Sequence, residues 1–397
     1  MEQRFSLSAN IEEGFSKDTQ YIVTPNVQKS MSSILDSYRS GIHTFTIIGT
    51  YGTGKSSFLL ALESDLTQKK HTHYLLTPEN LSKCKGYEFM NIVGDYAELS
   101  SLIRKKMSIE GEGNSVLDEL KAYYNKLHKS NKFLVIVIDE FGKVLEHAAK
   151  NNPEQELYFM QKLAEFVNVP SRNILLLTTL HQNFSSYARG LKESQVNEWT
   201  KVKGRFKEIA FVEPIEQILS LASSQLYGNE KVIDQENAKH LYELAVNMGY
   251  VSKSFSIDTA YNLYPMDTIS SVAITSAIQR YGQNERSLFT FLAAKGSDSL
   301  SEFVPKDNLT YNLQMVYNYV QYNFYSYLKD ANADSMAWSS ISVSIDRTES
   351  QQWESREEML HAVNVVKAIG LLNLFGPSTF TLNREDLSLY ANLNISY

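Results

Sequence analysis

The chain has 397 residues, 43% hydrophobic and 21% charged, with 38 basic and 45 acidic side chains and a net charge of −7. That is the composition of a globular protein with room for two or three domains. It excludes a globally basic nucleic-acid coat; with Cys84 as the sole cysteine it also excludes an internal disulfide and a cysteine-rich zinc module, which suits a reducing cytoplasm.

Residues 1–28 read as an irregular lead-in whose polar start, MEQRFSLSANIEEGF, lacks the apolar segment of a signal peptide. Within it YIVTPN is extended ahead of Pro25. A helix over 27–39 follows, closed by Gly41, and 43–48 alternates like a buried strand that runs straight into a glycine loop. Residues 56–66 place Phe58, Leu59, Ala61, Leu62 and Leu66 on one helical stripe. His71 and His73 share one strand face with no third ligand nearby, so 71–76 reads as a rival second strand and not as a metal site. The preferred second strand is 87–93, with a helix after it through Leu102. Residues 133–138 form an unbroken apolar run, 173–177 repeat that character, and 209–211 are shorter. Strands alternating with helices predict a parallel sheet covered on both faces.

The pattern changes at Pro214, after which helices are expected over 215–226, 235–248 and 268–280. A tyrosine-dense helix starts near Leu309 (Tyr311, Tyr317, Tyr319, Tyr322, Tyr325, Tyr327), and a further helix covers 358–368. A β-like segment at 379–382 follows a Gly-Pro turn, so the end of the chain reads as a winged-helix module. The expected division is a lead-in (1–28), an α/β P-loop core with its parallel sheet sandwiched by helices (29–213), a helical lid (214–303) and the winged-helix module (304–397). No stretch approaches the ~20 apolar residues of a membrane span, so a cytoplasmic protein is expected. The chain stops at NISY directly after an amphipathic stretch, as the front part of a longer polypeptide would.

Two motifs carry chemistry. Gly49-Thr50-Tyr51-Gly52-Thr53-Gly54-Lys55-Ser56 matches G-x-x-x-x-G-K-[ST] at every fixed position, and Ser57 continues into the helix. Its glycines let backbone N–H groups turn toward phosphate oxygens, Lys55 reaches the β- and γ-phosphates, and the Ser56 hydroxyl can ligate Mg²⁺. The following helix directs its positive end at the anion. The second motif, Phe133-Leu134-Val135-Ile136-Val137-Ile138-Asp139-Glu140, sets two carboxylates at the carboxyl end of a buried strand, where α/β sheets bind ligands. Asp139 is placed to hold Mg²⁺ and Glu140 to take a proton from the attacking water. ATP with Mg²⁺ is the expected cofactor pair.

With these motifs, the stretches LLLTTLHQNFSSYA, WTKVKGRFKEIAFVEP, GQNERSLFTFL and VVKAIGLLNLFG resemble the AAA+ and related STAND class of P-loop ATPases. Within that class the chain looks most like the ATPase cores of large bacterial multidomain proteins, including those of antiphage defence. Origin-recognition initiators are more distant relatives. The resemblance implies a γ-phosphate sensor at Thr179, with Thr178 or His181 as alternatives, since Asn is the usual residue there. It implies an arginine finger at Arg205, offered to a neighbouring subunit, against a basic stripe with Lys201, Lys203 and Lys207. It implies a second sensor at Arg286, and an adenine cover around Ile22 and Val23.

Three functions follow as alternatives: an ATPase driving assembly or remodelling, a nucleotide-controlled switch with little turnover, and a DNA-binding initiator. A homo-oligomer with a protein partner or effector subunit suits the first. Residues 304–397 hold six basic against ten acidic side chains, a poor footprint for phosphate contacts, so protein contact is the favoured role of that module and nucleic acid is not favoured.

Overall fold

A computed structural model describes residues 10–14, 21–50, 52–67, 75, 81–109, 114–188, 190–226, 235–282, 288–296, 298–304, 309–329, 333–377 and 381–395. Two compact units meet in sequence between Val212 and Glu213.

The first unit carries five parallel strands: β1 (Thr44–Ile48), β2 (Gly86–Val93), β3 (Lys132–Asp139), β4 (Ile174–Leu180) and β5 (Lys207–Ala210). Their order is β2-β3-β4-β1-β5, so β4 is inserted between the strand that leads into the glycine loop and the strand that ends in the acidic pair. Among the described residues seven α-helices accompany them: α1 (Pro25–Arg39), α2 (Lys55–Thr67), α3 (Leu99–Met107), α4 (Asn114–Lys129), α5 (Phe141–Lys150), α6 (Pro153–Val167) and α7 (Glu193–Lys203). This is the α/β P-loop fold expected from the sequence.

The period-2 alternation of the strands sorts side chains between two cores. Phe133, Val135 and Val137 join Leu175, Leu177, Phe45 and Ile47 on the face covered by α1 and α2. Leu134, Ile136 and Ile138 join Ile174, Leu176 and Leu180 beneath α4, α5 and α6. By the same parity Asp139 and Thr179 are carried toward α2, which decides how the site is assembled. Helix α1 starts with Pro25 in its first turn and the Thr24 hydroxyl accepting from Val27 N (3.1 Å), and it ends before Gly41, whose φ of +90° only glycine adopts freely.

The second unit is helical: α8 (Ile215–Leu226), α9 (Gln235–Asn247), α10 (Ile257–Asn262), α11 (Thr268–Tyr281), α12 (Leu288–Ala293), α13 (Leu313–Asn323), α14 (Tyr325–Lys329), α15 (Ser335–Glu349), α16 (Arg356–Phe375) and α17 (Arg384–Asn394). One apolar core runs from Leu219 to Ile395, and α11 lies at its centre. A buried carboxylate ties its two halves together. Asp267 caps α11 by accepting from Ser270 N (2.8 Å), and its other oxygen accepts from Ser270 Oγ (2.6 Å), Thr310 Oγ1 (3.2 Å), Tyr390 OH (3.2 Å) and Asn394 Nδ2 (2.7 Å). The tyrosine-dense segment breaks at Phe324; Tyr311, Tyr317 and Tyr319 are buried, while Tyr322 and Tyr325 are exposed.

Where a wing was expected, Thr381 and Leu382 are irregular, and residues 378–380 lie outside the described residues, so the described part of this unit shows helices and no hairpin. Helix α16 runs well past 358–368 and is long and apolar enough to cross a membrane by length and composition alone. Here it buries Ala368, Leu371, Leu372 and Phe375 within the unit's core. The rival strand at 71–76, with His71 and His73, falls outside the described residues except for Leu75.

Candidate nucleotide site

The glycine loop leaves β1 between the ends of two neighbouring strands. Gly49 N donates to Leu180 O (3.1 Å), and Phe211 N donates to Ile48 O (2.7 Å). A Cβ on Gly49 would lie 2.2 Å from Phe211 O, so only glycine lets these backbones approach. Gly52 and Gly54 take φ of +71° and +85°, the left-handed region that turns successive peptide N–H groups to one side. Lys55 opens α2, with Ser56 and Ser57 behind it in the first turn, half-buried. The Lys55 ammonium donates to Gly49 O (2.7 Å) and Thr50 O (2.8 Å), and Thr53 Oγ1 donates to Thr50 O (2.9 Å). Burial pushes the Lys55 ammonium down to about 8, opposed by the nearby charges of Asp139 and Glu140. Tyr51 lies outside the described residues.

The acidic pair meets this loop directly. Ser56 Oγ donates to Asp139 Oδ2 at 2.6 Å, and Thr179 Oγ1 donates to Asp139 Oδ1 at 2.5 Å. Glu140 N donates both to Thr179 Oγ1 (2.9 Å) and to Asp139 Oδ1 (3.1 Å). Strand β4 makes this possible: Thr179 pairs with Ile47 of β1, and Ile138 of β3 pairs with Thr178, so Thr179 stands level with Asp139 on the face that α2 covers. Glu140 takes φ +53° and ψ +35°, a left-handed conformation that costs a non-glycine residue roughly 1 kcal/mol or more. Its side chain is about one-third exposed and ion-paired with Lys143, one helical turn further on α5.

Thr178 points to the opposite face, its hydroxyl between Thr46 Oγ1 (3.0 Å) and Phe45 O (3.1 Å). Its surroundings are those of a core threonine. His181 follows β4 at the same edge, and burial together with the Lys55 and Lys143 charges pushes its imidazole down to about 3, so it is neutral at ordinary pH.

Two residues that sequence reasoning passed over complete the cluster. Gly94 N donates to Asp139 O (2.7 Å), and a Cβ on Gly94 would lie 2.4 Å from Glu140 O. Lys143, the partner of Glu140, was legible as the residue three positions on along the following helix.

Arg205 is not brought to the cluster. By the register of β1 with β5, Phe45 opposite Lys207, Arg205 lies level with His43, at the amino edge of the sheet. That is six residues before Gly49, about 20 Å along the strand direction. Its guanidinium contacts Glu165 Oε1 (2.7 Å) and Lys201 O (3.1 Å). Its neighbours are also engaged: Lys201 with Glu198 (2.6 Å), Lys203 with Glu208 (3.6 Å) and Lys207 with Ser37 Oγ (2.6 Å). Arg286 lies outside the described residues. Ile22 and Val23 are half-buried just before α1, whose Asn26 side chain donates to Val212 O (2.9 Å), close to the end of β5 and so to the Gly49 edge.

The donor set fits Mg²⁺ and a phosphate chain. Ser56 Oγ and Asp139 Oδ2 are two hard oxygen ligands already adjacent, beside a buried ammonium and a loop whose Gly52 and Gly54 take positive φ. Among the described residues no group of three or more His, Cys, Asp or Glu side chains could hold a metal ion.

No protein-family model matches the sequence, and no curated protein matches it. Solved structures similar in fold include the Aeropyrum pernix ORC2 protein in its ADPNP–ADP complexes (17% identity, TM-score 0.37, covering 68% of this chain and 76% of that one). Others are C. elegans PCH-2 (16%, 0.36, 76% and 68%) and Drosophila ORC bound to DNA (10%, 0.30, 92% and 84%). The fold assignment itself rests on the strand order and the glycine loop seen in this chain.

Proposed function

We propose that this chain binds ATP with Mg²⁺ between the glycine loop and the acidic pair and hydrolyses it. The observation that carries this reading is the contact of Ser56 Oγ with Asp139 Oδ2, which joins the phosphate loop to the end of β3 with Glu140 adjacent. Lys55 and the loop N–H groups would bind the β- and γ-phosphates, and Ser56 and Asp139 would hold Mg²⁺, which when bound offsets phosphate charge. Glu140 would orient the attacking water and accept its proton. The sequence resemblance to AAA+ and STAND ATPases of bacterial defence proteins supports coupling turnover to assembly or remodelling in a homo-oligomer with protein partners. Arg205, too far from the loop of its own chain, would then serve a neighbouring copy once it leaves Glu165.

The switch reading has one observation in its favour, the ion pair that engages the Glu140 carboxylate with Lys143. A nucleic-acid stripe at 201–207 is opposed by the acidic partners of Lys201, Lys203 and Arg205. Phosphate release measured over a range of protein concentrations separates motor from switch. For a motor, wild type turns over ATP, and Glu140→Gln binds ATP normally but is slowed roughly 10²-fold or more. No turnover by wild type at any concentration would leave the switch.

A further inference from the structure

We infer that Thr179 is a positioning residue for the acidic pair, fixing the Asp139 carboxylate and the Glu140 backbone through one hydroxyl, and is not itself the contact to the γ-phosphate. The inference rests on the ATPase reading above and replaces the sensor role expected from sequence. Thr179 is fully buried, and both capacities of its hydroxyl are in use. The proton goes to Asp139 Oδ1 (2.5 Å), and a lone pair receives Glu140 N–H (2.9 Å). The same carboxylate receives Ser56 Oγ on its other oxygen, so Thr179 and Ser56 fix Asp139 from both sides.

The Glu140 contact has a separate consequence. Glu140 N–H is the peptide donor at the turn where the backbone becomes left-handed, and bonds to that donor offset the conformational cost there. Turn and carboxylate are therefore set by one side chain on the inserted strand. Groups that hold a metal ligand in place carry roughly 10- to 100-fold of metal affinity or activity in other sites.

The test compares wild type, Thr179→Val and Thr179→Ser by two readouts. One is the affinity for a fluorescent ATP analogue in EDTA and across a Mg²⁺ titration. The other is hydrogen exchange at the Glu140 amide without nucleotide. A positioning role predicts that Thr179→Val keeps its Mg²⁺-free affinity within about 2-fold while needing roughly 10-fold more Mg²⁺ for half-maximal tightening. Its Glu140 amide should exchange faster, and Thr179→Ser, which keeps the hydroxyl, should restore both properties. Thr179→Ala substitutes if the valine variant does not fold. The inference is overturned if Thr179→Val has wild-type Mg²⁺ dependence, if serine fails to rescue, or if Mg²⁺-free affinity falls in step, as loss of a direct phosphate contact would produce. A wild type that binds no nucleotide would refute the ATPase reading instead, while unchanged Glu140 exchange in Thr179→Val would refute the positioning role by itself.

Discussion

Gly94→Ala tests whether the acidic pair is held by backbone packing as tightly as the structure shows. The added Cβ would meet Glu140 O at 2.4 Å, Glu140 C at 2.8 Å and Asp139 O at 2.9 Å. All three are backbone atoms, so no flexible side chain can swing aside. Overpacking of this kind costs about 1–3 kcal/mol, and pushing the strands apart also weakens Gly94 N to Asp139 O (2.7 Å), worth about 1 kcal/mol. The expected destabilisation of the first unit is therefore about 2–4 kcal/mol. The control is Gly86→Ala at the start of β2, the strand that Gly94 follows, where nothing lies within 4 Å of the new Cβ; it should be neutral or stabilising by up to about 1 kcal/mol. Trp199 is the only tryptophan of the first unit, so urea unfolding followed by its fluorescence, with Trp338 and Trp353 replaced by Phe, reports that unit separately. A Gly94→Ala midpoint matching that of Gly86→Ala, with unchanged turnover, would refute the packing argument.

Burial holds the Lys55 ammonium near 8, so ATP affinity should fall as pH rises through about 8, where the free protein loses that charge; flat affinity from pH 7 to 9.5 would contradict it. Asp267→Ala leaves Ser270, Thr310, Tyr390 and Asn394 without their shared acceptor and should destabilise the second unit by roughly 3 kcal/mol or more. A thermal-melting loss under 1 kcal/mol would argue against that node. Because burial raises this carboxyl, its stabilising contribution is fully present below about 3.9 and is lost as pH rises through the raised folded value, a dependence that Asp267→Asn should abolish. Arg205→Ala should leave ATP binding intact but lower turnover, and mixing it with Lys55→Ala should restore part of the activity, because a trans-acting arginine can be lent to an intact site. A mixture that stays inactive would remove the trans role.

The glycine loop and the β3 acids were legible because each is a contiguous pattern: a fixed glycine-lysine spacing, and an apolar run ended by two charges. What joins them was not, since it depends on β4 entering the sheet between β1 and β3, and pairing order is not written in local sequence. Thr179 could be placed near the site from the family resemblance, yet its partners follow only from the register of three strands. The role of Gly94 appears only once Val93 is paired with Asp139. Helix α15, SMAWSSISVSIDRTE, went unrecognised because serine and β-branched residues are weak helix formers. It stands through packing of Trp338 and Ile341, with Gly370 of α16 so close to Ile341 that a Cβ would lie 2.6 Å away.

The most direct test of the central claim is an equilibrium titration of the wild-type chain with ATP, with and without Mg²⁺, alongside Lys55→Ala. The site described here predicts one saturable ATP per chain, tightened by Mg²⁺ and abolished in the variant. Binding that survives Lys55→Ala unchanged, or no saturable binding by wild type, would contradict it.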